Sequence, residues 1–78
     1  MAEFIDIGSG NIAARSRIVC VTGADSAPSR RMIQESKDRG ACVDCCAGKK
    51  CRTILVTDTD LIIMSALETA EIKERLDG

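Results

Sequence analysis

The length of the chain, 78 residues, is the feature that most limits its fold, because it leaves room for only one small domain. A domain of this size buries about 60–65% of the surface that its unfolded chain exposes, so it is marginally stable alone. Such domains are usually stabilised further by disulfides, by a metal ion or by partner subunits. We therefore expect residues 1–78 to form a single domain that depends on one of these.

The residue types that the chain lacks exclude several classes of function. It has no His, Trp or Tyr and one Phe, Phe4. The absence of His excludes Ser-His-Asp and Cys-His catalysis and any His-containing metal site. A single aromatic residue is too few for the base stacking by which single-stranded nucleic acids are bound. No apolar stretch approaches the roughly 20 residues of a membrane helix, and the acidic start is unlike a signal peptide, so we expect a cytoplasmic protein.

One segment carries the signals of a helix at both of its ends. Asp25 and Ser26 can cap the start, and Pro28 falls in the first turn, where its missing N–H costs nothing. Gly40 is suited to the position just past the last turn. Strands are predicted before the helix and after it, and a second short helix follows at residues 68–76.

The predicted order of elements is ββαβββα, which defines an α+β domain. The glycine-rich segment after the first strand is interpreted as a loop, and residues 47–50 as the turn of a hairpin. The stretch at residues 54–56 is apolar on both faces, which is typical of a central strand. The strands are predicted at residues 3–7, 16–22, 41–46, 51–57 and 61–64.

The near-neutral net charge of −1 conceals an uneven distribution. Residues 15–52 carry nine basic and four acidic side chains, a net charge of +5. Residues 1–14 carry −2 and residues 53–78 carry −4. A basic middle between acidic ends can form one positive face, although a solvated surface of mixed charge is the alternative interpretation.

Four cysteines lie close together in the second half of the chain, at Cys42, Cys45, Cys46 and Cys51, with Cys20 far from them. Their spacing permits a zinc or iron–sulfur site, but in a strand Cys42 and Cys46 point to the face opposite Cys45. Across the predicted hairpin Cys46 would face Cys51, which favours at most one reversible disulfide. We therefore expect no bound metal or other cofactor and treat these cysteines as core residues or as a redox pair.

Basic residues cluster at the predicted hairpin tip, where Lys49 and Lys50 are followed by Arg52. Such a tip can reach a phosphate backbone, and the alternative is an ordinary solvated turn that discourages edge aggregation. Arg15 and Arg17 flank the start of the second strand in the same way. Arg17 and Lys50 both lie next to strand ends, so the two groups could converge.

Several segments together resemble one family, the RemA family of small bacterial regulators of extracellular-matrix genes. The most specific pieces are the Ser26-Ala27-Pro28 stretch with Arg31-Met32-Ile33, and Asp38-Arg39-Gly40 after it. The resemblance covers roughly residues 3–67. The other segments that carry it are Ile7-Gly8-Ser9-Gly10-Asn11-Ile12, Arg17-Ile18-Val19, Asp44, Gly48-Lys49-Lys50, and Asp58-Thr59-Asp60 with Ile62-Ile63.

The resemblance implies a transcription regulator that binds double-stranded DNA, has no enzymatic activity and takes no small-molecule substrate. It further implies a protomer like the LytTR-type DNA-binding domain and a closed homo-oligomeric ring with DNA around its basic outside. The two basic residues that follow the turn glycine in the family correspond to Lys49 and Lys50. The other implied or assisting DNA contacts are Arg17, Arg15, Arg31, Arg52 and Asn11. Arg17 and Pro28 are alternatively candidates for the subunit interface.

The chain departs from the family in two respects. The family usually has arginines where this chain has Lys49 and Lys50, and lysine lacks the planar fork that reads guanine bidentately. The family does not depend on cysteines at these positions. A metal- or redox-sensing module built on the cysteines, and a structural ring that binds protein partners, therefore remain alternative functions.

Overall fold

The computed structural model describes residues 3–77, which form an α+β domain of two sheets and two helices. The expected class and the expected order of elements are confirmed, with one short strand added after the first. A turn of 3₁₀ helix at Arg15–Arg17 leads into the third strand. The strands are β1 (Phe4–Gly8), β2 (Asn11–Ala14), β3 (Ile18–Gly23), β4 (Cys42–Cys45), β5 (Thr53–Thr57) and β6 (Ile62–Ser65), and the helices are α1 (Ala27–Asp38) and α2 (Thr69–Asp77).

The added strand, β2, pairs with β1 in an antiparallel hairpin around the glycine loop. Gly8, Ser9 and Gly10 all have positive φ, which the two glycines adopt without steric cost. The side-chain amide of Asn11 donates hydrogen bonds to the carbonyls of Gly8 and Ser9, at 3.2 and 3.3 Å. The loop that the sequence indicated is therefore a tight hairpin turn, and its second arm extends to Ala14.

The main sheet has the order β3-β5-β6-β4, in which β3, β5 and β6 are antiparallel and β4 runs parallel to β6. β5 lies between two neighbours, as its apolar sequence predicted. A bulge between Ile18 and Cys20 shifts the register of β3, so that Val19 is 64% exposed while Ile18 and Val21 pack into the same core cluster.

The hairpin predicted between residues 41–46 and 51–57 is wrong, because β6 is inserted between β4 and β5. The difference between the two strands in how many of their residues are buried explains this order. β4 carries the exposed residues Val43 and Asp44, which suit an edge strand, whereas β6 contributes the buried residues Ile62 and Met64. The segment from β4 to β5 must therefore pass the end of β6.

The two faces of the main sheet bury different partners. One face packs Leu55 and Cys45 against the β1–β2 hairpin and Ile72 of α2. The other face packs Ile54, Ile62, Met64 and Cys46 against Met32 and Ile33 of α1. The domain thus has three layers. The main sheet lies between α1 on one side and the β1–β2 hairpin with α2 on the other.

The helix α1 begins as the sequence predicted. Ser26 is its N-cap, and its hydroxyl accepts a hydrogen bond from the backbone N–H of Ser29 at 3.2 Å. Pro28 lies in the first turn, and Gly40 follows the last turn with φ +69°. Between residues 3 and 77, neither helix combines the length and the apolar character needed to cross a membrane.

Candidate nucleic-acid interface

Residues 46–52, which we call the lysine loop, carry Lys49 and Lys50 across the end of the main sheet. The loop begins with a tight turn in which the N–H of Lys49 donates to the carbonyl of Cys46 at 2.9 Å. Ala47 and Gly48, at the centre of this turn, both have positive φ. That combination is typical of a type I′ turn, so the chain reverses sharply before the two lysines.

Both ends of the lysine loop are fixed to the sheet by hydrogen bonds. At its start the N–H of Cys46 donates to a carboxylate oxygen of Asp44 at 2.9 Å. At its end the N–H of Arg52 donates to the carbonyl of Ser65, and the N–H of Ala24 donates to the carbonyl of Arg52. The lysines therefore lie on a short segment whose two ends are held by the sheet.

Lys49 and Lys50 are exposed, and within residues 3–77 neither forms an ion pair with a carboxylate. Arg52 differs, because one of its guanidinium nitrogens lies 3.2 Å from a carboxylate oxygen of Glu68. The pair is half exposed at both side chains, so it contributes little to stability. It does reduce the positive potential that Arg52 offers to a ligand.

Arg15 and Arg17 lie at the opposite end of the main sheet, so the convergence of Arg17 with Lys50 that the sequence left open does not occur. The carbonyl of Arg17 accepts a hydrogen bond from Asp58, just past the last residue of β5, whereas Arg52 lies just before its first residue. The ends of β5 are thus separated by the whole strand, and Arg52 and Asp58 lie about 20 Å apart at the rise of an extended chain. The predicted site residues therefore form two groups.

The arginine end of the sheet, defined by Arg15 and Arg17, has its own electrostatic and apolar features. A guanidinium nitrogen of Arg17 lies 3.7 Å from a carboxylate oxygen of Asp58, and both side chains are about half exposed. Arg17 also borders a shallow groove of about 250 Å³ whose lining includes Ile12, Ile18 and Leu61. The ion pair of Arg17 with Asp58, like that of Arg52 with Glu68, was not evident from the sequence, because each acid is remote from its arginine along the chain.

The remaining predicted contacts are distributed over other surfaces. Arg31 is exposed on α1, whose first turn follows the end of β3 next to the lysine loop. Pro28 is exposed in that first turn. The side-chain amide of Asn11 donates both of its recorded hydrogen bonds within the β1–β2 turn. Contact of these residues with DNA stays a prediction.

The cysteines are divided between the two faces of the sheet, as the strand alternation predicted. Cys45 packs with the β1–β2 hairpin, whereas Cys42, Cys46 and Cys51 pack on the face of α1. Within residues 3–77, no three Cys, Asp or Glu side chains are grouped so that they could hold a metal ion. Cys46 and Cys51 pack in the same cluster although no hairpin joins them, and the thiol of Cys51 donates a hydrogen bond to the carbonyl of Thr53 at 3.6 Å.

Burial, and after it the neighbouring Cys51 and Asp44, together raise the pKa of the Cys46 thiol to about 12. The neutral thiol is thus favoured in the folded protein over the unfolded chain, where the pKa is near 9.0. This stabilisation is complete below pH 9 and is lost as the pH rises towards 12.

We expect the free energy of unfolding to fall between pH 9 and pH 12 less steeply in Cys46→Ala than in the parent protein, because the variant lacks the titrating thiol. Urea unfolding at several pH values measures the two slopes. Cys20→Ala, which removes an exposed thiol, should keep the parental slope. Equal slopes for the parent and Cys46→Ala would contradict the prediction.

Comparison with known proteins shows a family and several relatives. The family model described as RemA-like, extracellular matrix regulatory protein A-like, matches residues 4–76. A protein of Halothermothrix orenii is 40% identical over 76 residues, which are 97% of this chain and 90% of the relative. One of Alkaliphilus metalliredigens is 43% identical over 76 residues, 97% of this chain and 82% of the relative.

A third relative, from Geobacillus thermodenitrificans, is 37% identical over 78 residues, 100% of this chain and 90% of the relative. All three relatives bear the name "Putative regulatory protein". Nearly the full length of each protein is therefore shared, and the shared names indicate regulation rather than an enzymatic reaction.

Proposed function

Because the chain belongs to the family of RemA-like extracellular matrix regulatory proteins, we propose that it is a non-enzymatic transcription regulator that binds double-stranded DNA in the cytoplasm. The observation that carries this proposal is the lysine loop. It presents Lys49 and Lys50 to solvent, without carboxylate partners in residues 3–77, on a backbone fixed at both ends. An exposed pair of cations held in this way suits contact with the phosphate backbone of a duplex.

Contact through phosphate, rather than through base edges, fits the residues at the tip of the loop. Lysine is a compact point charge that binds phosphate well but lacks the bidentate geometry by which arginine reads guanine. Specificity then comes from the ease with which a sequence bends around the protein. Arg52 lies at the end of the same loop, where the ion pair with Glu68 reduces the positive potential that it adds.

A ring of identical subunits supplies what a single domain lacks. Two lysines per chain give few phosphate contacts and therefore weak, salt-sensitive binding. Repetition of the same loop around a closed ring raises its effective concentration along the DNA, which strengthens binding without new contacts. Subunit contacts also bury further surface, which stabilises a domain of only 78 residues.

The arginine end is the better candidate for the contact between subunits. The groove beside Arg17 is open and largely apolar, and Ile12 at its edge is 66% exposed. The bulged strand β3 next to it is an edge strand with Val19 64% exposed. A second copy of the chain that covers these residues would bury apolar surface far from the lysine loop, and it would leave the lysines free for DNA.

Size-exclusion chromatography with mass detection, combined with a gel shift of duplex DNA, tests the proposal. We expect a mass of several subunits, and a DNA affinity that falls by at least about tenfold between about 50 and 200 mM salt, as phosphate contacts require. A monomer without DNA affinity at low salt would overturn the proposal. Assembly without any salt-dependent DNA binding would instead indicate a structural ring that binds protein partners.

A further inference from the structure

We propose that Cys46 and Cys51 are a redox pair that a peroxide-class oxidant converts into an intramolecular disulfide enclosing Lys49 and Lys50. The two cysteines flank the pair of lysines, with only Ala47, Gly48 and the lysines between them. The disulfide itself does not depend on the proposed function, whereas its effect on DNA binding rests on that function.

The geometry of the lysine loop brings the two sulfurs together in the reduced protein. Cys51 packs against the cluster that contains Cys46, and the sharp turn at Ala47 and Gly48 reverses the chain between them. The residues around the pair hold it in place, because the N–H of Cys46 is bonded to Asp44 and both polar backbone groups of Arg52 are bonded to the sheet. Bond formation therefore joins two sulfurs that already lie in one packed cluster, at the two ends of a six-residue segment.

The different exposure of the two thiols assigns their roles. Cys51 is partly exposed, whereas Cys46 is only 2% exposed. The Cys51 thiolate is thus the sulfur that a soluble oxidant reaches first, and the buried Cys46 is the sulfur that resolves the intermediate. Cys20 is exposed but lies on the edge strand β3, so it has no such partner in residues 3–77.

The reaction balances with hydrogen peroxide as the oxidant. The Cys51 thiolate attacks one peroxide oxygen, the O–O bond breaks, and a sulfenic acid forms while the departing hydroxide takes up a proton to become water. The Cys46 sulfur then attacks the Cys51 sulfur, and the S–S bond forms as the S–O bond breaks. The proton of Cys46 leaves with that oxygen as a second water, so two thiols are oxidised and one peroxide is reduced.

The disulfide would reduce the mobility of the lysine loop more than that of the sheet. It closes a ring of six residues around a turn that is already fixed at both ends, which removes most of the remaining freedom of residues 47–50. A loop that can still move adjusts the positions of its lysines to the nearest phosphates of the duplex. Locked loops adapt less well, and avidity multiplies the loss over the subunits.

A thiol titration after treatment with hydrogen peroxide tests the site without DNA. We expect the loss of two of the five thiols, a crosslink between Cys46 and Cys51 in the peptide map, and recovery of both thiols with dithiothreitol. Because serine at the buried position 46 can destabilise the fold, Cys51→Ser is the principal variant, and it should form no such crosslink. Cys20→Ser, the matched control, should still form it.

The second measurement is the DNA affinity of the oxidised and reduced protein at one salt concentration. We expect oxidation to weaken binding roughly three- to tenfold in the parent protein and in Cys20→Ser, and to leave Cys51→Ser unchanged. Absence of the crosslink under peroxide would overturn the redox pair. A crosslink with unchanged DNA affinity would overturn the effect on binding, and absence of DNA binding by the reduced protein would overturn the proposed function while the crosslink stands.

Discussion

Replacement of both Lys49 and Lys50 by alanine is expected to abolish detectable binding of duplex DNA while the oligomer stays intact. The two side chains are exposed and form no ion pair within residues 3–77, so their removal breaks no ion pair there. In a ring, the loss of two phosphate contacts is repeated in every subunit, and we expect the affinity at low salt to fall about 100-fold or more. A gel shift and the mass by size exclusion measure the two properties.

A control for net charge is available elsewhere in the chain. Lys37 and Lys73 are also exposed lysines, one in each helix, and their joint replacement by alanine removes the same two charges per chain. We expect this variant to lose affinity only slightly, because general electrostatic attraction changes but no contact is lost. If the two double variants weakened binding equally, or if Lys49→Ala with Lys50→Ala still bound DNA normally, the lysine loop would not be the contact surface.

The second large effect concerns the central strand, where Leu55→Ala is expected to unfold most of the protein or to lower its melting temperature by about 10 °C or more. Leu55 is fully buried in β5 between the β1–β2 hairpin and α2. Its truncation costs about 2–5 kcal/mol, against a total stability of about 4–12 kcal/mol for a domain of this length. Thermal unfolding followed by circular dichroism measures the shift.

Val19→Ala is the matched comparison, because it shortens an apolar side chain on an edge strand where 64% of it is exposed. We expect little change in the unfolding of the separated monomer. A loss of assembly in this variant would support the proposed subunit contact near the arginine end. A melting temperature lowered as much as in Leu55→Ala would contradict the assignment of Leu55 and Val19 to the core and the surface.

The elements of the fold were predictable where local signals are strong. The capping serine and Pro28 marked the start of α1, and residues apolar on both faces marked β5 as a central strand. Strand neighbours were not predictable, because sequence proximity favours a hairpin between β4 and β5. The actual order depends on which strand is apolar enough to be buried on both sides, and this is a comparison between remote segments.

The candidate site was predictable in its residues and not in its arrangement. The lysines stood out by charge and by resemblance to a family that the comparisons confirm. Their separation from Arg15 and Arg17 arises because the two groups lie at opposite ends of β5. The pairing and direction of this strand in the sheet could not be predicted from the sequence. The contact of Cys46 with Cys51 was expected for the wrong reason, since a loop that passes the end of β6 brings them together instead of a hairpin.

Residues 46–52 cross the end of β6 as a loop and not as part of a strand. The length of this loop can therefore change without a change in the sheet. The loop must span two strand spacings, about 10 Å, which sets a minimum for its length but no maximum. Extra residues at its tip would leave the ladders of β4, β5 and β6 unchanged. In the proposed ring, the radius at which DNA is held, and therefore the curvature imposed on it, could change through the length of this one loop.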